Sequence, residues 1–523
     1  MVFPVGGFVP SGRDNHKSAT VEVLKVLQPI YMPIMSKVFG NIAKKLLLVI
    51  WLGCIIFYAQ GQTADCNIDR KDLRRYVRIL SSDSLEGRGI GTEGHAKAAR
   101  FIAGQFGELG LVPFDTSGYF QKFTLSASYW GQVYIKTPES KLENFVNMVF
   151  QGHFPQNDEN DLEVVFAGTG TDEELKQIET EGRLVLVFVE NMRSLFEVRQ
   201  RLSKVGAQGI IAANPDNEKQ FESIRLTLRN HYLSKRIALA DKTPFRPNGL
   251  DSPSFLNSIL IPNSEIKNLT GFTKEQLLIK MEENRIADVP VQKVKVKFER
   301  VHETIEARNI IGVIPGKSNK TLVVMAHYDH LGRDGDIYFP GADDNASGVA
   351  ALFELAEHFL QFDDLRFTMM FMATDAEEAG LLGSIFHVNQ PGFDAGNIPA
   401  SFNLDMISRV DDNHRNGRYL YCVGTGQSRE LDRIINRADS LYNPCRFDYS
   451  FNNSNDPVGI LKRSDSYPFF RKGIPSIFFF SGMHPDYHKP TDTFRKINFR
   501  TLQNRVCQIA LVLELLQREG WEN

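Results

Sequence analysis

The chain has 523 residues, a formal net charge of −3, and 42% apolar against 24% charged residues. That apolar content excludes a disordered chain, and the near-balanced charge excludes a partner chosen by bulk electrostatics, nucleic acid above all. The length predicts two or three domains.

Residues 1–61 read as an N-terminal extension and a signal peptide. Lys44 and Lys45 precede an apolar run over 46–58, and Ala59-Gln60-Gly61 supplies small residues for cleavage, the order of a secretory signal. The run is shorter than the about 20 apolar residues that span a bilayer, so an uncleaved anchor is the weaker alternative. Leu52-Gly53-Cys54 resembles a lipoprotein cleavage site, but Trp51 and the apolar residues past the cysteine favour ordinary cleavage. Met35 is a candidate start. Export to the periplasm or the outside is expected, without stable membrane insertion after cleavage. Cys66, Cys422, Cys445 and Cys507 would remain, which is no staple framework, and a Cys422–Cys445 bridge stays open. There is no Cys-x-x-Cys zinc motif.

Residues 65–118 form the first part of the main domain. Ala98, Phe101, Ile102, Phe106 and Leu109 recur at helical spacing, and Gly110 stands where a helix stops. The glycine-rich loop 85–92 lacks the Lys-Ser/Thr ending of a phosphate loop. Over 119–290 the texture changes to short strands at 162–166, 184–189, 210–213 and 259–261, with one helix at 195–205; this predicts a small β-rich inserted domain without a catalytic constellation. From 291 to 523 the main domain resumes. Strands are expected at 294–298, 310–314, 322–326, 367–373, 402–406 and 474–480, with a helix at 349–360. Continuous apolar strands alternating with helices predict an α/β fold, a mixed and mostly parallel sheet covered by helices on both faces.

Those strands run out into chemistry. The strand at 322–326 ends in His327-Tyr328-Asp329-His330. Gly341-Ala342-Asp343-Asp344-Asn345 opens the next helix, and 367–373 ends in Thr374-Asp375-Ala376-Glu377-Glu378. Asp405 ends the strand beginning at Phe402, and Ser481-Gly482-Met483-His484-Pro485-Asp486-Tyr487-His488 follows the last strand. In open α/β sheets the site lies beyond the carboxyl ends of the strands. His, Asp and Glu without sulfur suit a catalytic zinc or a related ion, and two ions about 3.5–4 Å apart need one bridging carboxylate. Adjacent Glu377 and Glu378 aim their side chains differently, so one is free to bind metal while the other reaches a water. Each piece alone has a plain reading: a solvated Glu-Glu pair, an N-capping Asp, a loop histidine. Their convergence at strand ends of one domain decides for metal.

In combination these motifs resemble metallopeptidase family 28, which includes secreted bacterial dizinc aminopeptidases and the glutamate carboxypeptidase II group, over roughly residues 70–515. The resemblance implies His327 and Asp405 on one ion, Glu378 and His488 on the other, and Asp344 bridging both. It makes Asp329 the orienter of His327, Glu377 the general base and acid, and Tyr487 a neighbour of the bound peptide. It also implies a cis peptide after Asp344. Residues 162–168, 182–187 and 206–211 resemble the protease-associated domain often inserted in the family. One departure is visible: many secreted bacterial members read Ser-Asp-His-Tyr where this chain has Ser464-Asp465-Ser466-Tyr467, a change on the substrate side of the site. The function implied is a secreted dinuclear zinc exopeptidase acting on peptides, an aminopeptidase first. The alternatives are a carboxypeptidase or dipeptidase for acidic C-termini, which would need arginines such as Arg333, Arg409 and Arg463 beside the metals, and a non-catalytic, receptor-like protein on the same fold.

Overall fold

The computed structural model describes residues 66–520 apart from 153–154, 215, 218, 220, 227–234, 241–255, 415 and 453–458; the expected signal peptide, its cleavage site and Met35 lie outside the described residues. Helix α1 (Arg70–Leu80) is capped by Asp69, whose carboxylate accepts from the N–H of Lys71, and it buries Leu73, Tyr76, Val77 and Leu80 on one stripe. Helix α2 (Glu93–Leu109) starts at Thr92 and stops at Gly110, which takes φ 87°, a left-handed conformation that an L side chain resists.

One sheet carries both halves of the chain. Besides the short strands Val112–Pro113, Lys141–Glu143 and Arg236–Leu239, its strands are β1 (Phe120–Lys136), β2 (Val149–Gln151), β3 (Gln156–Phe166), β4 (Leu184–Phe188), β5 (Gly209–Ala213), β6 (Asn257–Leu260), β7 (Gln292–Ile314), β8 (Thr321–His327), β9 (Thr368–Thr374), β10 (Ser401–Asp405), β11 (Tyr419–Val423), β12 (Arg446–Asp448) and β13 (Ser476–Phe480). The order is β12-β11-β13-β10-β8-β9-β7-β3-β4-β5-β6-β2, with β1 paired along β7. The main-domain strands β9, β8, β10 and β13 run parallel, and so do β3, β4, β5 and β6.

Two expectations change. Patterning reads separate strands at 294–298 and 310–314, yet β7 is one strand of 23 residues. The polar stretch between them pairs with β1, Arg300 opposite Trp130 and Glu303 opposite Ala127. On its other side β1 pairs with Arg236–Leu239, and on partly exposed faces polar side chains keep the ladder intact, so their presence does not mark a turn. The 119–290 segment also carries more helix than its strand-rich pattern suggests, with α3 (Met192–Lys204) and a further helix Lys274–Glu282.

Both halves bury their strands on two faces. In β4, Leu184, Leu186 and Phe188 enter one apolar cluster, while Val185 and Val187 enter another with Leu195, Val198 and Leu202 of α3. In the main domain, α4 (Gly348–Phe359) lies buried against the sheet, and its Phe353 packs on Tyr76, Phe101 and Phe106. The long helix α5 (Phe499–Glu519) packs beside it. No helix among the described residues is long and apolar enough to cross a membrane. Cys422 and Cys445 are free and buried, so the bridge left open between them does not form.

Candidate metal centre

Strand register brings the chemistry to one edge. His327 of β8 lies opposite Thr374 of β9, and Asp405 of β10 lies opposite Phe480 of β13. The loops after these residues therefore start side by side. Asp344 joins them from the turn Ala342–Ser347 ahead of α4. The helical path is broken there at Asp344 (φ −105°, ψ 91°) and Asn345, and the Asp344–Asn345 peptide is cis. Gly341 precedes the turn at φ 54°, and a Cβ at that position would sit 2.1 Å from the Asp344 carbonyl and 2.6 Å from Cδ2 of His330. Only glycine fits there.

Two donor groups meet at Asp344. His327, Asp344 and Asp405 form one set, and His330, Asp344 and Glu378 another; His488 faces the second. His327 Nε2 lies 3.3 Å from Asp344 Oδ1 and 3.3 Å from Asp405 Oδ1. His488 Nε2 lies 3.2 Å from Asp344 Oδ2 and 3.2 Å from Glu378 Oε2. Two donors on a tetrahedral zinc with bonds of about 2.0–2.1 Å stand about 3.3 Å apart, whereas charge-assisted N–H···O bonds close to about 2.7–2.9 Å. The spacing is that of ligands around a shared centre. Asp344 Oδ2 is buried without a hydrogen-bond partner among the described residues, which a bridging carboxylate oxygen would be before its cations bind. The set fits two divalent ions.

Asp329 meets His327 through its backbone rather than its carboxylate. Its carboxylate is 3.8 Å from His327 Nδ1, while its backbone carbonyl is 3.1 Å from that nitrogen. The two carboxylate oxygens accept the backbone N–H groups of Glu377 (3.0 Å) and Glu378 (3.2 Å). With both oxygens taken by amides, the carbonyl is the nearer acceptor for the imidazole. Asp329 thus holds the Glu377–Glu378 hinge, and its carbonyl places the His327 proton on Nδ1, leaving Nε2 to face Asp344 and Asp405.

Electrostatics separate the adjacent glutamates. Burial opposes the charge of Glu378, but the imidazoles of His330 and His488 outweigh it and hold its carboxyl down at about 2. Burial pushes Glu377 well above the usual carboxylate range; His327 opposes this, and Glu378, Asp465 and Asp405 add to it. Asp344 is held well below its ordinary value, because His330, His327 and His488 together exceed the effect of its burial. Adjacent carboxyls pushed apart in this way suit one ligand and one proton carrier. Tyr487 stacks on His488 with ring centroids 3.8 Å apart, on the half-exposed side of the centre.

Several residues around the centre have backbone or hydroxyl partners that the amino-acid sequence does not show. Arg88, buried in the glycine-rich loop, donates to the carbonyls of Leu80, Tyr328, Pro340, Gly341 and Asp344. Asp492 Oδ2 accepts the N–H groups of Asp343 (3.0 Å) and Asp344 (3.2 Å). Asp465 accepts from Thr374 and Ser384, and Ser466 donates to the carbonyl of Ile477. The only hint to Arg88 was its flanking glycines; Asp492 had none. Among the arginines weighed for acidic substrates, Arg409 is engaged by Asp486 at 3.0 Å and Arg333 lies exposed in a two-residue strand.

The family model described as Peptidase family M28 matches residues 309–513. The chain is 34% identical over 158 residues to leucine aminopeptidase 1 of Uncinocarpus reesii, covering 29% of this chain and 40% of that protein. It is 28% identical over 236 residues to aminopeptidase YwaD of Bacillus subtilis, covering 41% and 46%. The matched stretch therefore spans under half the length of these curated relatives. A solved structure of BSAP, a zinc aminopeptidase from Bacillus subtilis, superposes with a TM-score of 0.51 at 19% identity over 88% of this chain and 98% of that one, which shows a shared fold.

Proposed function

We propose, from the premise that residues 309–513 belong to peptidase family M28, that this chain is a dinuclear zinc exopeptidase that removes residues from the N-terminus of peptides. The observation that carries the reading is Asp344 between two imidazoles, one oxygen 3.3 Å from His327 Nε2 and the other 3.2 Å from His488 Nε2. His327 and Asp405 would hold one ion, Glu378 and His488 the other, with Asp344 between. Two divalent cations, when bound, would polarise the scissile carbonyl and acidify a water. Glu377 then accepts the proton of the attacking water and delivers it to the leaving amine, so one carboxyl serves as base and acid in turn. Burial among carboxylates favours its protonated form, which suits the second half of that task. Asp329 keeps Glu377 in place through the backbone, and Tyr487 lines the open side beside His488.

The names of the relatives support the aminopeptidase reading, and the engagement of Arg409 by Asp486 weighs against a carboxylate-binding alternative. The 119–290 segment would restrict access to the site as a protease-associated insert, and the protein would act after export. The test is a profile of dipeptides and longer peptides with free or acetylated N-termini, together with metal analysis. About two divalent ions per chain are expected, with hydrolysis abolished by acetylation. Hydrolysis that survives acetylation overturns the aminopeptidase reading. A metal content near zero that added zinc does not restore would favour the receptor-like alternative.

A further inference from the structure

Three imidazoles surround a pair of sites whose ligand sets use two. The third is His330, whose ring is wholly buried, against 35% exposure for His488. Its Nδ1 lies 2.8 Å from Glu378 Oε1 and 3.7 Å from Asp344 Oδ2. The ligand-type contacts of His327 and His488 are all 3.2–3.3 Å. A separation of 2.8 Å is that of a charge-assisted hydrogen bond, shorter than the edge of a zinc coordination sphere. An ionised carboxylate only accepts, so Nδ1 of His330 carries the proton and donates it.

The rest of the pocket fixes that ring. Its backbone N–H donates to the Arg88 carbonyl at 3.2 Å. Gly341 passes so near that a Cβ there would sit 2.6 Å from the ring and 2.7 Å from Arg88 Nη2. The other ring nitrogen, Nε2, is buried without a hydrogen-bond partner among the described residues, so no second polar contact draws the ring from Glu378. Glu378 is thereby divided between its two oxygens: Oε1 is held by His330, and Oε2 faces His488 and the second site.

We propose that His330 is a positioning residue for the second cation, clamping the Glu378 carboxylate through one oxygen so that the other is presented to the ion at a fixed angle. A carboxylate held this way loses no rotamer freedom when the ion binds, and the hydrogen bond sits away from water, where it is strong. The inference rests on the dimetal reading above. It predicts that loss of the donor weakens the Glu378–His488 site and spares the His327–Asp405 site.

The experiment titrates zinc into the metal-free full chain in competition with a chromophoric chelator, for the parent, His330→Ala and His330→Asn. The parent is expected to bind two ions. His330→Ala should bind the first as the parent does and the second about 10–100-fold more weakly. His330→Asn places an amide N–H where Nδ1–H was and should restore most of that loss, which a purely space-filling role would not allow. Should His330→Ala fail to fold, the volume-preserving His330→Leu takes its place in the comparison. An unchanged second affinity in the Ala or Leu variant overturns the proposal. An Asn variant as weak as Ala also overturns it, because the lone pair or the ring itself would then matter. A parent that binds no zinc would instead sink the dimetal reading, which keeps the two failures apart.

Discussion

The two halves of the sheet are built alike and end differently. Strand β4 is buried at all five positions, and so is β10; both stretches run parallel to their neighbours. Past β3, β4 and β6, however, the chain continues as Ala167-Gly168, Val189-Glu190-Asn191 and Ile261-Pro262, and Asn191 is occupied in capping α3. Past β8, β9, β10 and β13 it continues through imidazoles and carboxylates that face one another across about a zinc coordination edge. The architecture supplies a row of converging strand ends in either half. Chemistry appears only where the side chains at those ends are ionisable, buried and mutually paired, so the fold permits a site without providing one.

Substitutions in the two halves should therefore separate function from stability. The largest effect is expected for Glu377→Gln: turnover falls by about 10²–10⁴-fold while zinc content stays that of the parent, measured by steady-state kinetics beside elemental analysis. Normal turnover in that variant would show that the base lies elsewhere. Arg88→Met strips five carbonyls of their donor and should cost about 3 kcal/mol or more in urea denaturation, with zinc affinity falling as well, because two of those carbonyls belong to Gly341 and Asp344. In the other half, Leu186→Ala opens a cavity beneath a fully buried strand and should cost about 3 kcal/mol while turnover per folded molecule holds. A parallel loss of turnover would tie the halves together.

A pH effect is expected from a buried histidine in the half that carries the centre. Burial pushes His387 down to about 4, so the folded state resists a proton that the unfolded chain takes up near the ordinary histidine value of about 6.5. Stability is then lost as pH falls from about 6.5 towards 4, by up to about 3 kcal/mol from this group. His387→Asn should flatten that part of the stability curve; an unchanged slope would remove the assignment. The smallest effect is expected for Asn191→Ala, which removes the cap of α3 and should cost about 1 kcal/mol, with zinc binding untouched.

What local pattern could carry was legible in advance. The apolar runs ending in His327, Asp405 and the loop to His488 are contiguous in the chain, and a buried strand followed by an ionisable residue is a local signal. The same holds for α2 and its stop at Gly110. The pattern fell short where the signal was ambiguous: the polar middle of β7 looks like a break until β1 is seen beside it, and that Asp329 meets His327 through its carbonyl, with its carboxylate on the amides of Glu377 and Glu378, is no part of a residue-type pattern.

The amino-acid sequence by itself determined which ionisable side chains follow which strands, because strand patterning and the residues that follow are written in consecutive positions. Only the tertiary structure decided what holds them. Arg88 reaches the metal centre from 256 positions away to Asp344, and Asp492 from 148; both bind backbone groups, which leave no residue-type pattern to read. His330 was in plain view beside Asp329, yet its task follows from a difference of a few tenths of an ångström between a hydrogen bond and a ligand spacing, a quantity that exists only once the chain has folded.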